Sequence, residues 1–238
     1  MTADHWGHDV PTEPSRRVKV IGLAGHHGAG RATVAEILRR DYGLRSFSIA
    51  DEIRSALLIL DPLVGPGKPL TDLVRELGWG GAAASRLYGA EVLSLMQRFG
   101  DGVREVAGEG VWITAMRGTI ETGLDASCPP IVCFRDVRFD HEARWVASTG
   151  GQVWSVTRPG CGPRKAHESE TGVDPALIAG VVVNDGTRSA LRARVAALAA
   201  EAGMRRVPPT RPGGARPPAA ALGSLTRMAG IARGGQTA

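Results

Sequence analysis

The feature that most constrains this chain is a glycine-rich stretch near its N-terminus, between two segments of different periodicity. Val18 to Leu23 is short, mostly apolar and β-branched, which predicts a strand. Thr33 to Arg40 carries its apolar residues on one helical face and is followed by Gly43, which predicts a helix. Gly25-His-His-Gly-Ala-Gly30 lies between them. A strand, a glycine loop and a helix N-terminus direct several backbone N–H groups at one point, so this stretch predicts a phosphate site.

The remainder of the chain alternates short strand-like segments with helical ones. Further strands are predicted at Arg45 to Ile49, Ile131 to Phe134, Gln152 to Val156 and Ala179 to Val183. This alternation predicts an α/β, P-loop NTPase-type three-layer fold with a mainly parallel sheet and right-handed crossovers. Because ligands of such sheets bind at the carboxyl ends of the strands, the polar residues directly after each strand are the candidates for function.

The predicted helices are longer and more varied. One begins at Asp51 and is stopped by Pro62, and a loop is predicted from Val64 to Pro69. From Leu70 to about Leu124 the pattern is helical, with breaks predicted at Gly78-Trp-Gly-Gly81, Gly100 and Gly108. The last two helices are predicted at Asp140 to Ser148 and Thr187 to Ala202.

These segments divide the chain into a central domain with an extension at each end. Residues 1–16 are expected to be a flexible leader and residues 17–204 the folded domain. Within the domain, residues 62–125 form a helical insert, and the polar segment 158–174 is placed to act as a lid. Residues 205–238 form a tail rich in Arg, Pro, Gly and Ala, whose composition predicts disorder.

The basic character of the protein belongs to this tail. The chain has 29 basic and 24 acidic residues, a net charge of +5, and six of its arginines lie after Met204. Without the tail 23 basic residues face 24 acidic ones, so the domain is nearly neutral. A nucleic-acid partner is therefore not expected, except for weak contacts through the tail.

Several other classes of protein are disfavoured by composition. No apolar run approaches the roughly 20 residues of a membrane span, and the first 17 residues lack the apolar stretch of a signal peptide. Cys128, Cys133 and Cys161 are odd in number and lack CxxC spacing, which disfavours a disulfide framework or a zinc site. A cytoplasmic protein without a membrane partner is predicted, and homodimerisation is left open.

The glycine loop departs from the strict phosphate-loop pattern at its end. That pattern closes with Lys followed by Ser or Thr, whereas this chain has Arg31, Ala32 and Thr33. Arginine keeps the positive charge, but its planar fork does not reproduce a compact ammonium, and Ala32 removes a hydroxyl that would ligate Mg²⁺. A tight strand-to-helix turn without a ligand is the structural alternative.

Further segments, taken in order with the loop, resemble the deoxynucleoside monophosphate kinases of bacteriophages and related bacterial proteins. The family's loop is of type GxxxxGKDT, against GHHGAGRAT here. The resemblance spans roughly Val18 to Leu198. It is carried by Phe47-Ser-Ile-Ala-Asp51, Met96-Gln-Arg-Phe-Gly100-Asp-Gly-Val-Arg104, Trp112, Arg135-Asp-Val-Arg-Phe-Asp-His-Glu142, Gly150-Gly151, Val156-Thr-Arg-Pro159, His167-Glu-Ser-Glu170 and Asn184-Asp-Gly186.

The resemblance implies ATP and Mg²⁺ as cofactors. It implies that ATP is bound by the loop and by a residue after the last strand, namely Gly25, Gly28, Gly30, Arg31, Thr33 and Asn184. Magnesium would be held, in part through water, by Thr33, Asp51 and Asp136.

The resemblance also implies a nucleoside monophosphate as the phosphate acceptor, bound by the helical insert and the lid. The expected acceptor-binding residues are Asp51, Arg54, Arg104 and Arg164. The expected catalytic residues are Arg31, Asp51, Asp136, Arg138 and Arg158, because phosphoryl transfer depends mainly on positioning and on neutralising phosphate oxygens. Asp101 and Gly102 replace the family's Thr and Glu, so a base or sugar contact there is not carried over.

Each of these assignments has a structural alternative. Asp51 is suited to capping the helix that it begins, and Asp136 and Arg138 are suited to an internal ion pair supported by Glu142. Asn184 precedes Asp-Gly, which favours a turn. Two other functions stay open: a nucleotide-binding protein with weakened catalysis, suggested by Arg31 and Ala32, and a dephospho-coenzyme-A type of kinase.

Overall fold

A computed structural model describes residues 18–124, 131–162 and 172–208. The strands and helices of the N-terminal half follow the predicted alternation. They are β1 (Lys19–Ala24), α1 (Arg31–Tyr42), β2 (Ser46–Phe47), α2 (Ile49–Leu60), β3 (Leu63–Val64), β4 (Lys68–Pro69), α3 (Leu70–Ala84), α4 (Gly89–Ala107) and α5 (Val111–Gly123).

The C-terminal half supplies three strands of the main sheet. Its elements are β5 (Ile131–Val137), α6 (Asp140–Ser148), β6 (Gln152–Thr157), a 3₁₀ turn (Pro175–Leu177), β7 (Gly180–Val183) and α7 (Arg188–Glu201). Five strands form one parallel sheet in the order β2-β5-β1-β6-β7, while β3 and β4 form a separate antiparallel hairpin. The predicted α/β fold with a parallel sheet is confirmed.

Alternation along β1 explains the three layers. Val20 and Ala24 face one side of the sheet and pack in a core with α2, α5 and α6. Ile21 and Leu23 face the other side and pack in a second core with α1 and α7. Both faces of the central strand are therefore buried, as expected for a parallel sheet covered by crossover helices.

The second strand is shorter than predicted. Arg45 to Ile49 was expected to be extended, but only Ser46–Phe47 pairs with β5, and Ile49 already belongs to α2. Ser48 has extended backbone angles and occupies the N-cap position, so the helix begins at Ile49, two residues before Asp51. The capping role considered for Asp51 is wrong, because Asp51 is the third residue of the helix.

The helical insert is predicted well except at two places. Gly78 interrupts α3 with a φ of 66°, and Gly108 ends α4, as expected. Gly100, in contrast, lies inside α4 and is buried. A Cβ there would lie 2.8 Å from Cδ1 of Ile53, so this glycine allows α4 to pack closely on α2 rather than breaking the helix. The loop predicted at Val64 to Pro69 contains the β3–β4 hairpin.

The ends of the domain fall partly outside the described residues. Residues 1–17 and 209–238 are not described, so the predicted leader and most of the predicted tail stay predictions. Of residues 205–208, Val207 contacts the C-terminal end of α1, where it donates a 2.9 Å backbone hydrogen bond to the carbonyl of Asp41. Among the described helices, none has both the length and the apolar character that crossing a membrane requires.

Candidate functional site

The glycine loop lies at the carboxyl edge of the parallel sheet, at its centre. It leaves β1, which has β5 on one side and β6 on the other. Since β1 connects through α1 to the sheet edge at β2, while β6 and β7 extend the sheet on the other side, the direction of winding changes at β1. Ligands of open α/β sheets bind in the crevice at such a point.

The loop has the backbone conformation that its glycines permit. Gly25, Gly28 and Gly30 have φ values of 138°, 83° and 106°, all in a region that L side chains rarely adopt. Gly30 is the N-cap of α1. Within the described chain no side chain caps this helix, and its first turn carries no acidic residue. The first N–H groups of α1 are therefore available to an anion, and the positive helix end favours one.

Two of the glycines are also required by the neighbouring strands. A Cβ on Gly25 would lie 2.2 Å from the carbonyl oxygen of Val156 in β6. A Cβ on Gly30 would lie 2.4 Å from Nδ2 of Asn184, which follows β7 and donates a 2.9 Å hydrogen bond to the carbonyl oxygen of Ala29. Asn184, predicted to contact ATP, is thus placed against the loop itself and holds its backbone.

Replacing Gly25 with alanine should therefore damage both the loop and the fold. The new Cβ would overlap the Val156 carbonyl, and the residue would keep a disfavoured φ, so the free energy of unfolding should fall by roughly 2–4 kcal/mol. Urea unfolding followed by tryptophan fluorescence measures this loss. Gly118→Ala is the matched control, because Gly118 is helical with open space around its Cβ position, and this change should be neutral or slightly stabilising. Equal stability of both variants would contradict the close approach of β6.

A partly buried carboxylate near the loop belongs to Asp136. Asp136 lies in β5, two residues beyond Phe134 along the strand, and Phe134 pairs with Phe47 of β2. Ser48 donates a 3.3 Å hydrogen bond to its Oδ2, while Oδ1 is buried and has no hydrogen-bond partner among the described residues. Burial raises the pKa of Asp136, and the guanidinium groups of Arg138, Arg31 and Arg135 oppose this shift. Asp136 thus lies close to the loop arginine and to the end of its own strand.

Asp51, Arg54 and Arg135 form a second polar group beside Asp136. The two carboxylate oxygens of Asp51 accept hydrogen bonds from different arginines, Oδ1 from Arg54 at 3.1 Å and Oδ2 from Arg135. The Arg54 guanidinium also lies 5.7 Å from the ring centre of Trp79. In this arrangement Arg54 is held by Asp51 and Trp79, and the carboxylate of Asp51 is already neutralised on both sides.

The residues predicted to hold Mg²⁺ fit this role unequally. Both Asp51 oxygens are engaged by arginines, whereas the partnerless Oδ1 of Asp136 suits a hydrated cation. Thr33 is partly buried in the first turn of α1. In residues 18–124, 131–162 and 172–208 no three His, Cys, Asp or Glu side chains are grouped as metal ligands. Mg²⁺ commonly uses one or two carboxylates together with substrate phosphates, and Asp136 offers one such carboxylate oxygen.

A cavity of about 970 Å³ opens between the C-terminal part of α4 and the turn from β5 into α6. Arg104, Arg138 and Phe139 contribute to its lining. The Arg104 guanidinium lies 5.1 Å from the ring centre of Phe139 and donates a 2.8 Å hydrogen bond to the carboxylate of Asp101. Arg138 is exposed, and its guanidinium makes no ion pair within the described parts of the chain. The cavity has the size of a small-molecule site. Its lining includes three arginines and five carboxylates, namely Arg104, Arg138 and Arg144 with Asp101, Glu105, Glu109, Asp140 and Asp174.

The other predicted residues are placed as follows. Arg31 is partly buried at the start of α1, and Ala32 beside it is exposed. Arg158 directly follows β6 and is exposed. Arg164 lies in residues 163–171, outside the described part, so its assignment and most of the predicted lid stay predictions.

Three residues of the site received no role from the sequence. Ser48 was expected to be strand, Arg135 was only a letter of a motif, and Phe139 was not singled out. Ser48 follows a short apolar strand and precedes Asp and Glu, which is a helix-start pattern that could have indicated it. The contact of Arg135 with Asp51 depends on how α2 lies against β5, for which no local pattern exists.

The fold and this loop define the class of protein: a P-loop-type α/β protein whose glycine loop lies at the centre of a parallel sheet, bordered by Asp136 and arginines. No family model matches the chain. It is 24% identical over 154 residues to a protein of Acanthamoeba polyphaga mimivirus named "Putative deoxynucleotide monophosphate kinase", a match that covers 63% of this chain and 80% of that protein. The resemblance to deoxynucleoside monophosphate kinases found in the sequence is confirmed by this relative.

Two solved structures overlap with the chain more loosely. A dephospho-CoA kinase from Campylobacter jejuni is 12% identical, with a TM-score of 0.43, covering 77% of this chain and 96% of that one. A sugar kinase from a Janibacter species is 15% identical, with a TM-score of 0.35, covering 79% and 95%. Overlaps at these TM-scores support no statement about activity.

Proposed function

We propose that this protein is an ATP- and Mg²⁺-dependent kinase that transfers a phosphoryl group to a nucleoside monophosphate. The observation that carries the proposal is the end of β5, where the carboxylate of Asp136 interacts with Arg31 of the loop and Arg138 lines the α4–α6 cavity. Arg31 of the loop and Arg138 of the cavity both act on the charge of Asp136, so the two sites adjoin. The mimivirus relative supports the same class of acceptor.

In this proposal, one set of residues binds the phosphates of the donor and another set binds the phosphate of the acceptor. The loop and the start of α1 bind the donor phosphates through backbone N–H groups, with Arg31 adding charge. The α4–α6 cavity binds the acceptor, with Arg104 and Arg138 toward its phosphate and the Phe139 ring beside them. Mg²⁺, when held with ATP by Asp136, neutralises charge on the donor phosphates.

The chemical step then needs positioning more than covalent help. An oxygen of the acceptor phosphate attacks the γ-phosphorus of ATP, the bond from that phosphorus to the bridging oxygen breaks, and ADP leaves with the electron pair. The guanidinium of Arg138 stabilises the charge that spreads over the transferred oxygens. Arg158, exposed at the end of β6, approaches the same phosphates from the other side of the loop.

An acceptor screen tests the proposal directly. The full chain is incubated with ATP, Mg²⁺ and each of the common ribo- and deoxyribonucleoside monophosphates, and products are separated by ion-exchange chromatography. We expect formation of a nucleoside diphosphate together with ADP. Dephospho-coenzyme A is included as a competing acceptor, and its phosphorylation in place of every monophosphate would redirect the assignment to that class. No diphosphate from any monophosphate overturns the proposal.

A second function is favoured by Arg31 and Ala32: nucleotide binding with slow transfer. Ala32 is exposed at the position where the strict loop carries a magnesium-ligating hydroxyl, and Arg31 replaces its compact lysine. Under this alternative the double variant Arg31→Lys, Ala32→Asp should raise turnover by roughly tenfold or more at unchanged ATP affinity, since it restores the loop of the resembling family.

Steady-state kinetics and a nucleotide-binding titration, run on the same preparations, measure both quantities. The single variant Arg31→Lys separates the charge geometry from the effect of the added carboxylate. Turnover that stays equal or falls in the double variant would count against the slow-transfer alternative, because Arg31 would then already be suited to the reaction.

A further inference from the structure

Glu142 is a buried carboxylate directly beneath the proposed acceptor site. It is the third residue of α6 and only 2% exposed. Its Oε2 accepts two backbone hydrogen bonds, from the N–H of Arg138 at 2.6 Å and from the N–H of Phe139 at 3.2 Å. One side chain therefore fixes the main chain of both residues that line the cavity at the turn from β5 into α6.

The effect of these two hydrogen bonds extends to the opposite wall of the cavity. The guanidinium of Arg104 lies 5.1 Å from the centre of the Phe139 ring, and the ring of His141 stacks on Phe139 with 5.5 Å between the ring centres. Arg104 belongs to α4, so the position of the Phe139 ring links α6 to the helical insert. Through its two hydrogen bonds, Glu142 acts on Arg138 directly and on Arg104 by way of Phe139.

Helix capping alone does not require this degree of burial. A glutamate at the third position of a helix can satisfy the first N–H groups while its carboxylate stays in water. Burying a carboxylate costs free energy unless charges or hydrogen bonds compensate it. The groups that face Glu142 are mixed in sign: Asp136 on β5 is repulsive, Arg104 on α4 is attractive, and the two N–H groups are hydrogen-bonded. The carboxylate is thus buried behind the cavity wall at a cost in stability.

We propose that Glu142 is a positioning residue for the acceptor phosphate, which holds Arg138 by its backbone and Arg104 through the Phe139 ring. This inference rests on the proposed kinase function. Glu142 itself touches neither phosphate, so its effect should fall on the acceptor and leave ATP binding nearly unchanged. A glutamine at this position keeps an oxygen that accepts both N–H bonds, whereas an alanine removes it.

The experiment compares Glu142→Ala and Glu142→Gln with the wild-type chain. For the alanine variant we expect the KM for the acceptor to rise by about tenfold or more, as for loss of a residue that orients a binding group, with the KM for ATP changed by less than about twofold. The glutamine variant should recover most of this loss. Hydrogen–deuterium exchange should show faster exchange of the Arg138 and Phe139 amides in the alanine variant only.

Asp61→Ala is the matched control. Asp61 is a partly buried carboxylate that also accepts a backbone hydrogen bond, from Thr71 at 2.8 Å, but it lies at the C-terminal end of α2 and does not line the cavity. It should lower stability without the selective change in acceptor KM. An equal rise in both KM values for Glu142→Ala, the same selective change in the control, or unaltered exchange of the two amides would overturn the positioning role.

Failure of the kinase proposal gives a different result. If the wild-type chain phosphorylates no acceptor, the proposed function fails, and the positioning role is decided by exchange of the two amides and by calorimetric binding of inorganic phosphate. Binding about tenfold weaker in Glu142→Ala and restored in Glu142→Gln supports positioning of the arginines. Equal phosphate binding in all three proteins overturns it.

Discussion

Replacing Arg138 with alanine should lower kcat by about a thousandfold, since an arginine that neutralises a transferring phosphoryl group typically contributes at least that much. Arg138 is exposed at the end of β5, makes no ion pair in the described parts of the chain, and borders the cavity next to Asp136. Its guanidinium is therefore available to phosphate oxygens rather than to the protein. Steady-state kinetics with saturating ATP and acceptor measure the loss.

A lysine variant and a surface control show whether the loss of kcat is specific to the guanidinium of Arg138. Arg138→Lys keeps the charge but not the planar fork, so it should retain part of the activity. Arg117→Ala is the control, because Arg117 is an exposed arginine of α5 that pairs with Glu121 and does not line the cavity. The kcat of this variant should equal that of the wild type. A higher acceptor KM with an unchanged kcat in Arg138→Ala would limit this residue to binding and exclude its part in the transition state.

The residues at the carboxyl edge of the sheet could be predicted because the sequence patterns that indicate them are local. Strand-like runs, the glycine loop and the polar residues after each strand all lie within short stretches of sequence. Parallel pairing then brings those strand ends together whatever the details of packing. Asp136 and Asn184 were selected on this basis, and both lie beside the loop or its arginine.

The partners of these residues were not predictable by the same reasoning. Asp51 was expected to face magnesium or the acceptor, but its two oxygens bond Arg54 and Arg135. That arrangement depends on how α2 lies against β5. On another side of α2, Gly100 allows α4 to pack closely against Ile53. Within a helical sequence pattern, a glycine usually predicts a break in the helix. The role of Gly100 in close helix packing becomes visible only from its neighbour Ile53 in the structure.

The burial of Glu142 likewise could not be predicted from the sequence. Its spacing after Phe139 indicates a helix start, but a capping glutamate is ordinarily at the surface. Its burial follows from the close packing of α6 on β1 and β6, around Ala143 and Val146 on the same helix. Burial then has a consequence for stability that differs from the effect of any exposed glutamate of the chain.

Glu142→Gln should become more stable than the wild type as the pH rises. Burial raises the pKa of Glu142 to about 7, although the N–H bonds from Arg138 and Phe139 oppose the shift. Between its ordinary value of 4.5 and about 7, the folded chain holds a proton that the unfolded chain has released. The stability associated with this proton is complete below pH 4.5 and is lost as the pH rises through 7. Glutamine does not titrate, so its variant is spared this loss.

The shift corresponds to a difference on the order of 3 kcal/mol in the free energy of unfolding, fully developed above pH 8. Urea unfolding of both proteins at pH 5, 6, 7 and 8, followed by tryptophan fluorescence, measures the difference in the free energy of unfolding at each pH. The contributions of the titratable groups that both proteins share cancel in this difference. Glu36→Gln is the control. Arg39 lowers the pKa of Glu36 by a side-chain hydrogen bond, so that variant should show no trend over this range. A constant difference between Glu142→Gln and wild type from pH 5 to 8 would show that Glu142 is ionised throughout, and that Arg104 and the two N–H groups outweigh its burial.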